Sequence, residues 1–298
     1  MQQHWLTNAK TTQRIRNTMS RQHNKQAGHK ARKRFGQNFL QDQGVIRRIV
    51  RGVSPRASDH MVEIGPGLGA LTEVILDEAG ALDAIELDRD LLPILRTKFF
   101  SYEEKFRIFE ADAMKFDFSS LQEDARPLRI IGNLPYNIST QLIFHLLQHT
   151  TCVQDMHFML QKEVVDRLAA QPGDKLYGRL GIMAQYYCQV ESLFIVPPEA
   201  FDPIPKVDSA IVRLIPYQNK PHTAKCLKTL ETVVKTSFSM RRKTLRNNLK
   251  TMIDSQKLET LGIDPTRRPE TLALTEFITI ADYIHSQVDN TDLNTVLK

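Results

Sequence analysis

Residues 61–69 read Met61-Val62-Glu63-Ile64-Gly65-Pro66-Gly67-Leu68-Gly69, an apolar run with one acid followed by three alternating glycines. The apolar run predicts a buried strand, and residues 71–76 predict the start of a helix after the glycines. Glycine allows the backbone to turn sharply and to approach a ligand closely. A second predicted strand, residues 81–86, ends in Glu86, whose carboxylate can accept hydrogen bonds from both ribose hydroxyls of a nucleoside.

The spacing of the glycines indicates which nucleoside binds. A dinucleotide fold uses Gly-x-Gly-x-x-Gly, so that the pyrophosphate sits at a helix N-terminus. This chain has Gly-x-Gly-x-Gly, and Glu63 stands two residues before the first glycine. A carboxylate at that place disfavours a phosphate and favours a cationic ligand or an ammonium group. The pattern therefore predicts a Rossmann-like α/β domain that binds S-adenosylmethionine, with a nicotinamide dehydrogenase as the alternative.

Two further strand ends carry polar residues. Residues 106–110 predict a strand, and Asp112 after it can accept a hydrogen bond from the exocyclic amine of the cofactor's adenine. Residues 129–131 predict the next strand, which ends in Asn133-Leu134-Pro135-Tyr136 before a helix that begins after Ser139. Ligands of open α/β sheets bind at the carboxyl ends of the strands. Ordinary turn chemistry is the alternative for both groups of residues.

Asn133 and Tyr136 suit one specific reaction, methylation of an adenine amine. The N6 amine is a poor nucleophile because its lone pair is delocalised into the ring. The side-chain oxygen of Asn133 and a backbone carbonyl near Leu134 or Pro135 could accept both amine hydrogens and direct the lone pair at a methyl donor, which stabilises the developing positive charge. Tyr136 could stack on a flipped base. Asn133 is thus predicted to orient the amine and not to act as a base.

Charge points to a polyanionic partner. The chain carries a net charge of +6 with a pI of about 9.2, and no Asp or Glu precedes Asp42. Residues 1–30 are predicted to form a basic, disordered arm, and Arg32, Lys33 and Arg34 are predicted to contact RNA phosphates. A solvated tail without a partner is the alternative. A start at Met19 would lower the net charge to +3 but would keep these clusters.

Composition favours a cytoplasmic protein without a metal, and we expect it to be a monomer. The three cysteines are widely spaced, which favours a reducing compartment over a disulfide framework. The nine histidines show no metal-ligand spacing. No run of 18 apolar residues occurs, so we expect no transmembrane helix.

The sequence changes character after Pro216, where strand patterns give way to helical ones. We predict a methyltransferase domain over residues 31–216, a small all-helical RNA-binding domain over 217–286, and a tail over 287–298. Helices are expected over 224–238, 241–253 and 272–284. Basic residues recur at spacings of seven, four and four, which would place them on one helical face against folded RNA: Lys235, Arg242, Arg246 and Lys250. A merely soluble helical face is the alternative.

Together these motifs resemble the ribosomal RNA adenine N6-dimethyltransferase family, and within it the bacterial small-subunit (16S) enzymes. The resemblance extends from about Gly28 to Tyr283 and rests on these segments: Lys33-Arg34-Phe35-Gly36-Gln37-Asn38-Phe39-Leu40, the glycine turn with Glu63, Glu86-Leu87-Asp88, Asp112-Ala113-Met114, Asn133-Leu134-Pro135-Tyr136, Met159-Leu160-Gln161-Lys162-Glu163-Val164 and the loop from Pro197 to Ser209.

The resemblance implies roles for individual residues. Those expected to bind the cofactor are Asn38, Leu40, Gly65, Gly67, Glu86, Asp112, Ala113 and Asn133. Those expected at the target adenine are Asn133, Leu134, Pro135, Tyr136 and Phe201. Judged without the resemblance, Phe201 could equally be plain hydrophobic packing.

The resemblance also implies an activity: two methyl groups would be transferred to N6 of each of two adjacent adenosines, in a hairpin near the 3′ end of small-subunit ribosomal RNA, late in subunit assembly. Three alternatives remain open. They are a large-subunit RNA methyltransferase that confers antibiotic resistance, a DNA adenine methyltransferase, and an assembly factor that acts mainly as a checkpoint.

Overall fold

The computed structural model describes residues 37–240 and 242–296. The predicted basic arm and the expected RNA contacts of Arg32, Lys33 and Arg34 lie outside the described residues.

The centre of the molecule is a seven-stranded sheet. Its strands lie in the order β4-β3-β2-β5-β6-β9-β7, and a separate two-stranded ladder joins β1 to β8. The strands are β1 (Phe39–Leu40), β2 (His60–Ile64), β3 (Leu82–Glu86), β4 (Phe106–Glu110), β5 (Leu128–Asn133), β6 (Val153–Gln161), β7 (Cys188–Val196), β8 (Phe201–Asp202) and β9 (Ser209–Pro216). The first five strands of the large sheet are parallel, and β9 runs antiparallel to both neighbours. This mostly parallel sheet confirms the predicted Rossmann-like α/β domain.

Helices cover both faces of this sheet, which explains why β2 and β3 are buried at every position. On one face lie α1 (Gln43–Val53), α2 (Ala70–Ala79) and α3 (Leu91–Lys98). On the other lie α4 (Ser139–Leu146) and α5 (Lys162–Ala169). The chain leaves β2 in one direction through β3 and β4 and returns to β5 on the other side. Strand order therefore reverses beside β2, the place where open α/β sheets form a ligand crevice.

A second group of helices follows the sheet. It consists of α7 (Leu227–Ser237), α8 (Leu245–Leu249), α9 (Ser255–Thr260) and α10 (Leu274–Val296). These helices share a hydrophobic cluster with α6 (Arg179–Tyr187), in which Tyr177 and Phe277 are fully buried. The last helix continues past its expected end at residue 284 into the predicted tail. No glycine or proline occurs over 285–296 to stop it.

The expected single basic face in this group is wrong. Lys235 lies in α7 and Arg246 in α8, whereas Arg242 and Lys250 lie in turns outside both helices. The buried amide of Asn248 donates to the backbone carbonyls of Met240 and Lys243 at 3.4 and 3.3 Å. These hydrogen bonds stabilise a turn that interrupts the helix expected over residues 241–253. All four basic side chains are exposed, but on separate segments.

Candidate active site

A cavity of about 910 Å³ opens at the carboxyl ends of the parallel strands. It lies at the reversal of strand order beside β2. The structure brings eleven of the predicted site residues to its wall: Asn38, Leu40, Gly65, Gly67, Glu86, Asp112, Ala113, Asn133, Leu134, Pro135 and Tyr136. Phe201 is the one predicted cofactor or base residue that does not line this cavity.

The glycine turn forms one wall of the cavity. Gly65, Gly67 and Gly69 all have positive φ angles of 60–77°, a region that L side chains rarely adopt. A Cβ atom at Gly69 would lie 2.5 Å from the Phe99 ring, whereas one at Gly65 would meet nothing within 4 Å. Gly69 therefore permits packing of α2 against α3, and Gly65 keeps space open at the cavity wall.

Glu86 fixes the turn to the end of β3. Its carboxylate accepts hydrogen bonds from the backbone N–H groups of Asp88, at 2.8 Å, and Gly67, at 3.4 Å. The side chain is buried, and this burial raises its pKa despite those hydrogen bonds. A buried carboxylate beside open space is a strong acceptor for hydroxyl donors.

Glu63 is more deeply buried than its sequence position suggested. It is 2% exposed, and its carboxyl accepts a hydrogen bond of 2.5 Å from the hydroxyl of Thr72. The pKa of Glu63 is raised to about 7, chiefly by burial and also by the nearby charge of Glu86, although the hydrogen bond from Thr72 acts to lower it. Near neutral pH the group therefore exists in both its neutral and its charged form. A cation in the cavity would favour the charged form.

Asp112 and Ala113 follow β4. The Asp112 carboxylate accepts from the backbone N–H of Met114 at 3.0 Å, which orders the loop and fixes the direction of the acid. Ala113 is buried in the core cluster that also contains Leu134 and Leu142. Asp112 thus places a carboxylate at the cavity wall, and the packing of Ala113 holds the backbone of this loop in position.

Asn133 connects the end of β5 with the loop of residues 37–42. Its Nδ2 atom donates a hydrogen bond of 2.9 Å to the backbone carbonyl of Asn38. A carbonyl oxygen can only accept, so this contact fixes the amide orientation and makes Oδ1 the atom available as an acceptor. The carbonyl of Pro135 already accepts from the N–H of Ile138, which favours the Leu134 carbonyl as the second acceptor.

Tyr136 is held through a residue that the sequence reasoning did not single out. Its hydroxyl forms a hydrogen bond of 2.6 Å with the hydroxyl of Ser209, which is fully buried at the start of β9. Burial raises the pKa of Tyr136, so its phenol is neutral at physiological pH. Ser209 is the first residue after the proline-rich loop that follows β7. This position was the sequence signal that could have identified it as a site residue.

Phe201 packs into the core beside Leu40 and Val196 and is 3% exposed. Its strand, β8, pairs antiparallel with β1, so that Leu40 lies opposite Phe201 and Phe39 opposite Asp202. The exposed large hydrophobic side chains of this loop are instead those of Ile204 and Val207. Contact between Phe201 and a target base stays a prediction.

Possible metal ligands and membrane-spanning helices also bear on the kind of site. Within the described ranges, no group of three or more His, Cys, Asp or Glu side chains is arranged to hold a metal ion. None of the helices in the same ranges combines the length and hydropathy that crossing a bilayer requires.

The strand order, the Gly-x-Gly-x-Gly turn and the acids at successive strand ends define a Rossmann-like methyltransferase. Residues 28–286 match the family described as ribosomal RNA adenine dimethylase. The chain belongs to this family. It is therefore an S-adenosylmethionine-dependent methyltransferase of adenine in ribosomal RNA.

Similar proteins agree with this assignment. The chain is 64% identical over 263 residues to "Ribosomal RNA small subunit methyltransferase A" of Hahella chejuensis, covering 88% of this chain and 96% of the relative. It is 57% identical over 256 residues to the protein of the same name from Pseudomonas aeruginosa, covering 86% of this chain and 95% of that one.

Solved structures show the same fold. The crystal structure of a dimethyladenosine transferase from Plasmodium falciparum has a TM-score of 0.70 and 26% sequence identity, covering 81% of this chain and 95% of that one. The 23S ribosomal RNA methyltransferase ErmE has a TM-score of 0.65 and 23% identity, covering 83% of this chain and all of the other. At that identity ErmE supports the fold alone.

Proposed function

We propose that this protein dimethylates N6 of two adjacent adenosines in a hairpin near the 3′ end of small-subunit ribosomal RNA, late in the assembly of the subunit. The small-subunit assignment is supported by relatives that are 55–64% identical and carry that name. The observation that carries the chemistry is the hydrogen bond between Asn133 and Asn38, because it leaves the Asn133 oxygen as the acceptor at the cavity wall.

The cavity suits the cofactor of the family in size and in donor set. Small-molecule sites commonly enclose about 300–1,000 Å³, and this one measures about 910 Å³. When bound, S-adenosylmethionine supplies a methyl group on a positively charged sulfur. Glu86 would bind the ribose hydroxyls, and Asp112 would bind the adenine amine. The remainder of the cofactor would lie against the wall formed by Gly65, Asn38 and Leu40. Glu63 is the acid placed to favour a cationic ligand.

The chemistry asked of the protein is orientation of the target amine. The Asn133 oxygen and the Leu134 carbonyl would accept hydrogen bonds from the two N6 hydrogens, which makes the nitrogen pyramidal and aims its lone pair at the methyl group. The methylated nitrogen would then release its extra proton to solvent. An amide side chain does not take up a proton at neutral pH. Asn133 therefore acts by hydrogen bonding and not as a general base. The ring of Tyr136, held by Ser209, would stack on the base.

RNA is the partner that the exposed basic residues fit. Lys235, Arg242, Arg246 and Lys250 are exposed on neighbouring segments of the helical group, where each can contact a phosphate without sharing one helix face. Acting on this partner, the protein would work as a monomer in the cytoplasm.

Methyl incorporation into purified, unmethylated small subunits tests the proposal, with the methylated nucleotides mapped by mass spectrometry. We expect four methyl groups on two adjacent adenosines, and none with Asn133→Ala. Incorporation into large-subunit RNA or duplex DNA instead would contradict the proposal. Wild-type protein without incorporation, combined with normal subunit maturation by Asn133→Ala in cells, would favour a checkpoint role.

A further inference from the structure

The exposed face of α1 carries three arginines that the proposed reaction does not use. Ile46, Ile49, Val50 and Val53 form the buried face of this helix, whereas Arg47, Arg48 and Arg51 are exposed on the opposite face. We call these three residues the α1 arginine surface. It lies on the sheet domain, on a different element from the basic residues of the helical group.

In the described part of the chain, no acidic side chain is paired with the α1 arginine surface. The sequence contains no Asp or Glu between Asp42 and Asp59. Asp42 caps the helix by accepting from the N–H of Val45 at 2.9 Å, and Asp59 pairs with Arg129 at 2.6 Å. Within residues 37–240 and 242–296, no ion pair involves any of the three arginines.

The arrangement of the arginines suits an extended anion. Arg47 and Arg51 are four residues apart, so their like charges lie one turn apart, about 6 Å along the axis, and repel each other. An anion between them would relieve this repulsion. The guanidinium of Arg48 lies over the ring of Phe194, 3.9 Å from its centroid. This cation–π contact restrains the guanidinium, whose N–H groups can donate in a fork to phosphate oxygens.

The surface also begins at the active site. Gln43, the first residue of α1, lines the cavity, and the preceding residues of β1 line it as well. At a rise of 1.5 Å per residue, Arg47 lies about 6 Å and Arg51 about 12 Å along the helix from Gln43. An RNA strand that places a base in the cavity would thus meet these arginines within a few nucleotides.

We propose that the α1 arginine surface binds the phosphate backbone of the substrate RNA next to the target base, as a second anchoring point beside the helical group. This inference rests on the proposed function for the identity of the RNA. The surface contributes to affinity and to its salt dependence, and it takes no part in methyl transfer.

The test compares two triple variants that remove the same charge. One is Arg47→Gln, Arg48→Gln and Arg51→Gln, in which glutamine keeps the helix propensity. The control is Arg96→Gln, Lys105→Gln and Arg126→Gln, three exposed residues on α3, the 3₁₀ turn before β4, and the loop before β5. Binding to unmethylated small subunits is measured between 50 and 300 mM salt, and circular dichroism confirms folding.

We expect the α1 variant to lose affinity about tenfold at 150 mM salt, and the slope of log affinity against log salt to fall by about two. Each phosphate contact contributes about 0.7–0.9 to that slope. Its kcat at saturating RNA and its affinity for the cofactor should stay unchanged. The control should keep the wild-type slope.

Equal losses in both variants would overturn the proposal, since only net charge would then matter. An unchanged slope in the α1 variant would overturn it as well. These outcomes are separate from failure of the proposed function, which the site of methylation decides. If the wild type modifies a different ribosomal RNA, the same salt titration on that RNA still decides the role of the α1 arginine surface.

Discussion

The amide nitrogen of Asn133 donates a 2.9 Å hydrogen bond to the main-chain carbonyl of Asn38, 95 residues earlier in the sequence. This bond joins the loop of residues 37–42 to the end of the central strand β5. It also determines which atom of the amide faces the reaction. The loop therefore affects catalysis through the orientation of Asn133, in addition to any contact it makes with the cofactor.

Replacing Asn133 by alanine should lower kcat at saturating cofactor and RNA about 100-fold to 1,000-fold. Removal of one preorganised hydrogen-bonding group from a site of developing charge has effects of that size. Single-turnover methyl transfer measures the change. Asn219→Ala, at an exposed asparagine after β9, serves as the matched control and should keep wild-type kcat. A loss confined to KM would refute the proposed orientation of the amine.

The hydroxyl and the ring of Tyr136 should have separable effects. Tyr136→Phe keeps the ring but leaves the buried Ser209 hydroxyl without this partner, which should cost about 1–2 kcal/mol of unfolding free energy and change kcat/KM only a few-fold. Tyr136→Ala also removes the stacking surface and should reduce kcat/KM for RNA about 10-fold to 100-fold.

Urea unfolding and steady-state kinetics on both Tyr136 variants and on Ser209→Ala provide the comparison. Ser209→Ala should match Tyr136→Phe, since each removes one partner of the same hydrogen bond. A kinetic defect in Tyr136→Phe as large as that in Tyr136→Ala would show that the hydroxyl, and not the ring, matters for the base.

Glu63 should make the cofactor-free protein less stable as pH rises. Its pKa in the folded chain, about 7 because of burial, is above the unfolded value of 4.5. The folded state then holds the proton more tightly, so the stabilisation is complete below pH 4.5 and is lost as pH rises through 7. The shift corresponds to about 3 kcal/mol.

The variant Glu63→Gln stays neutral and removes this dependence. Urea midpoints at pH 5 and pH 8 should therefore show the variant gaining on the wild type as pH increases. Thr72→Val, which removes the hydrogen-bond donor to Glu63, should raise the pKa of Glu63 further and move the loss to higher pH. Parallel curves for wild type and Glu63→Gln would contradict the buried, neutral form.

Alanine substitutions at Gly65 and at Gly69 should impair the protein in different ways, the first mainly in cofactor binding and the second mainly in stability. Both positions have positive φ, which costs about 1–2 kcal/mol for alanine. At Gly69 the new Cβ also overlaps the Phe99 ring, so Gly69→Ala should lose about 2–4 kcal/mol of stability. Gly65→Ala should lose only the backbone cost but weaken cofactor binding about tenfold or more, since its methyl group enters the open space at the cavity wall.

Thermal unfolding and calorimetric titration with S-adenosylmethionine measure both quantities. Gly80→Ala is the control for the backbone cost, because Gly80 has a φ of 76° and its Cβ would meet nothing within 4 Å, yet it lies at the end of α2, outside the residues that line the cavity. It should lose stability like Gly65→Ala and keep wild-type cofactor affinity. Equal affinities for the variants at Gly65 and Gly80 would refute the role given to Gly65.

The parts of the fold that depend on neighbouring residues were predictable from sequence. The glycine turn and Glu86 follow strands whose apolar pattern is local, and the carboxyl ends of parallel strands meet at one edge of a sheet. The glycines, Glu86, Asp112 and the residues from Asn133 to Tyr136 were therefore identifiable without knowing how the chain folds back. Asn38, Leu40 and Ala113 were expected at the cofactor only because of the family resemblance.

Contacts between distant segments were not predictable in this way. The bonds from Asn133 to Asn38 and from Tyr136 to Ser209 span 95 and 73 residues. The position of Ser209 after the proline-rich loop was a weak signal, and no local pattern pairs Asn38 with Asn133. For the basic residues of the helical group, a local pattern led to a wrong prediction. Their spacing fits one helix, but the hydrogen bonds from the Asn248 amide to the carbonyls of Met240 and Lys243 stabilise a turn where that helix was expected.

The ladder between β1 and β8 has a consequence for the order of events. Phe39 and Leu40, beside the cofactor residues, pair with the loop that leads to Ser209 and so to Tyr136. Two segments about 160 residues apart thus share a few backbone hydrogen bonds. A separation of these two segments would open the cofactor side and the base side together. Exchange of spent cofactor between successive methyl transfers and release of the base would then depend on a single opening motion.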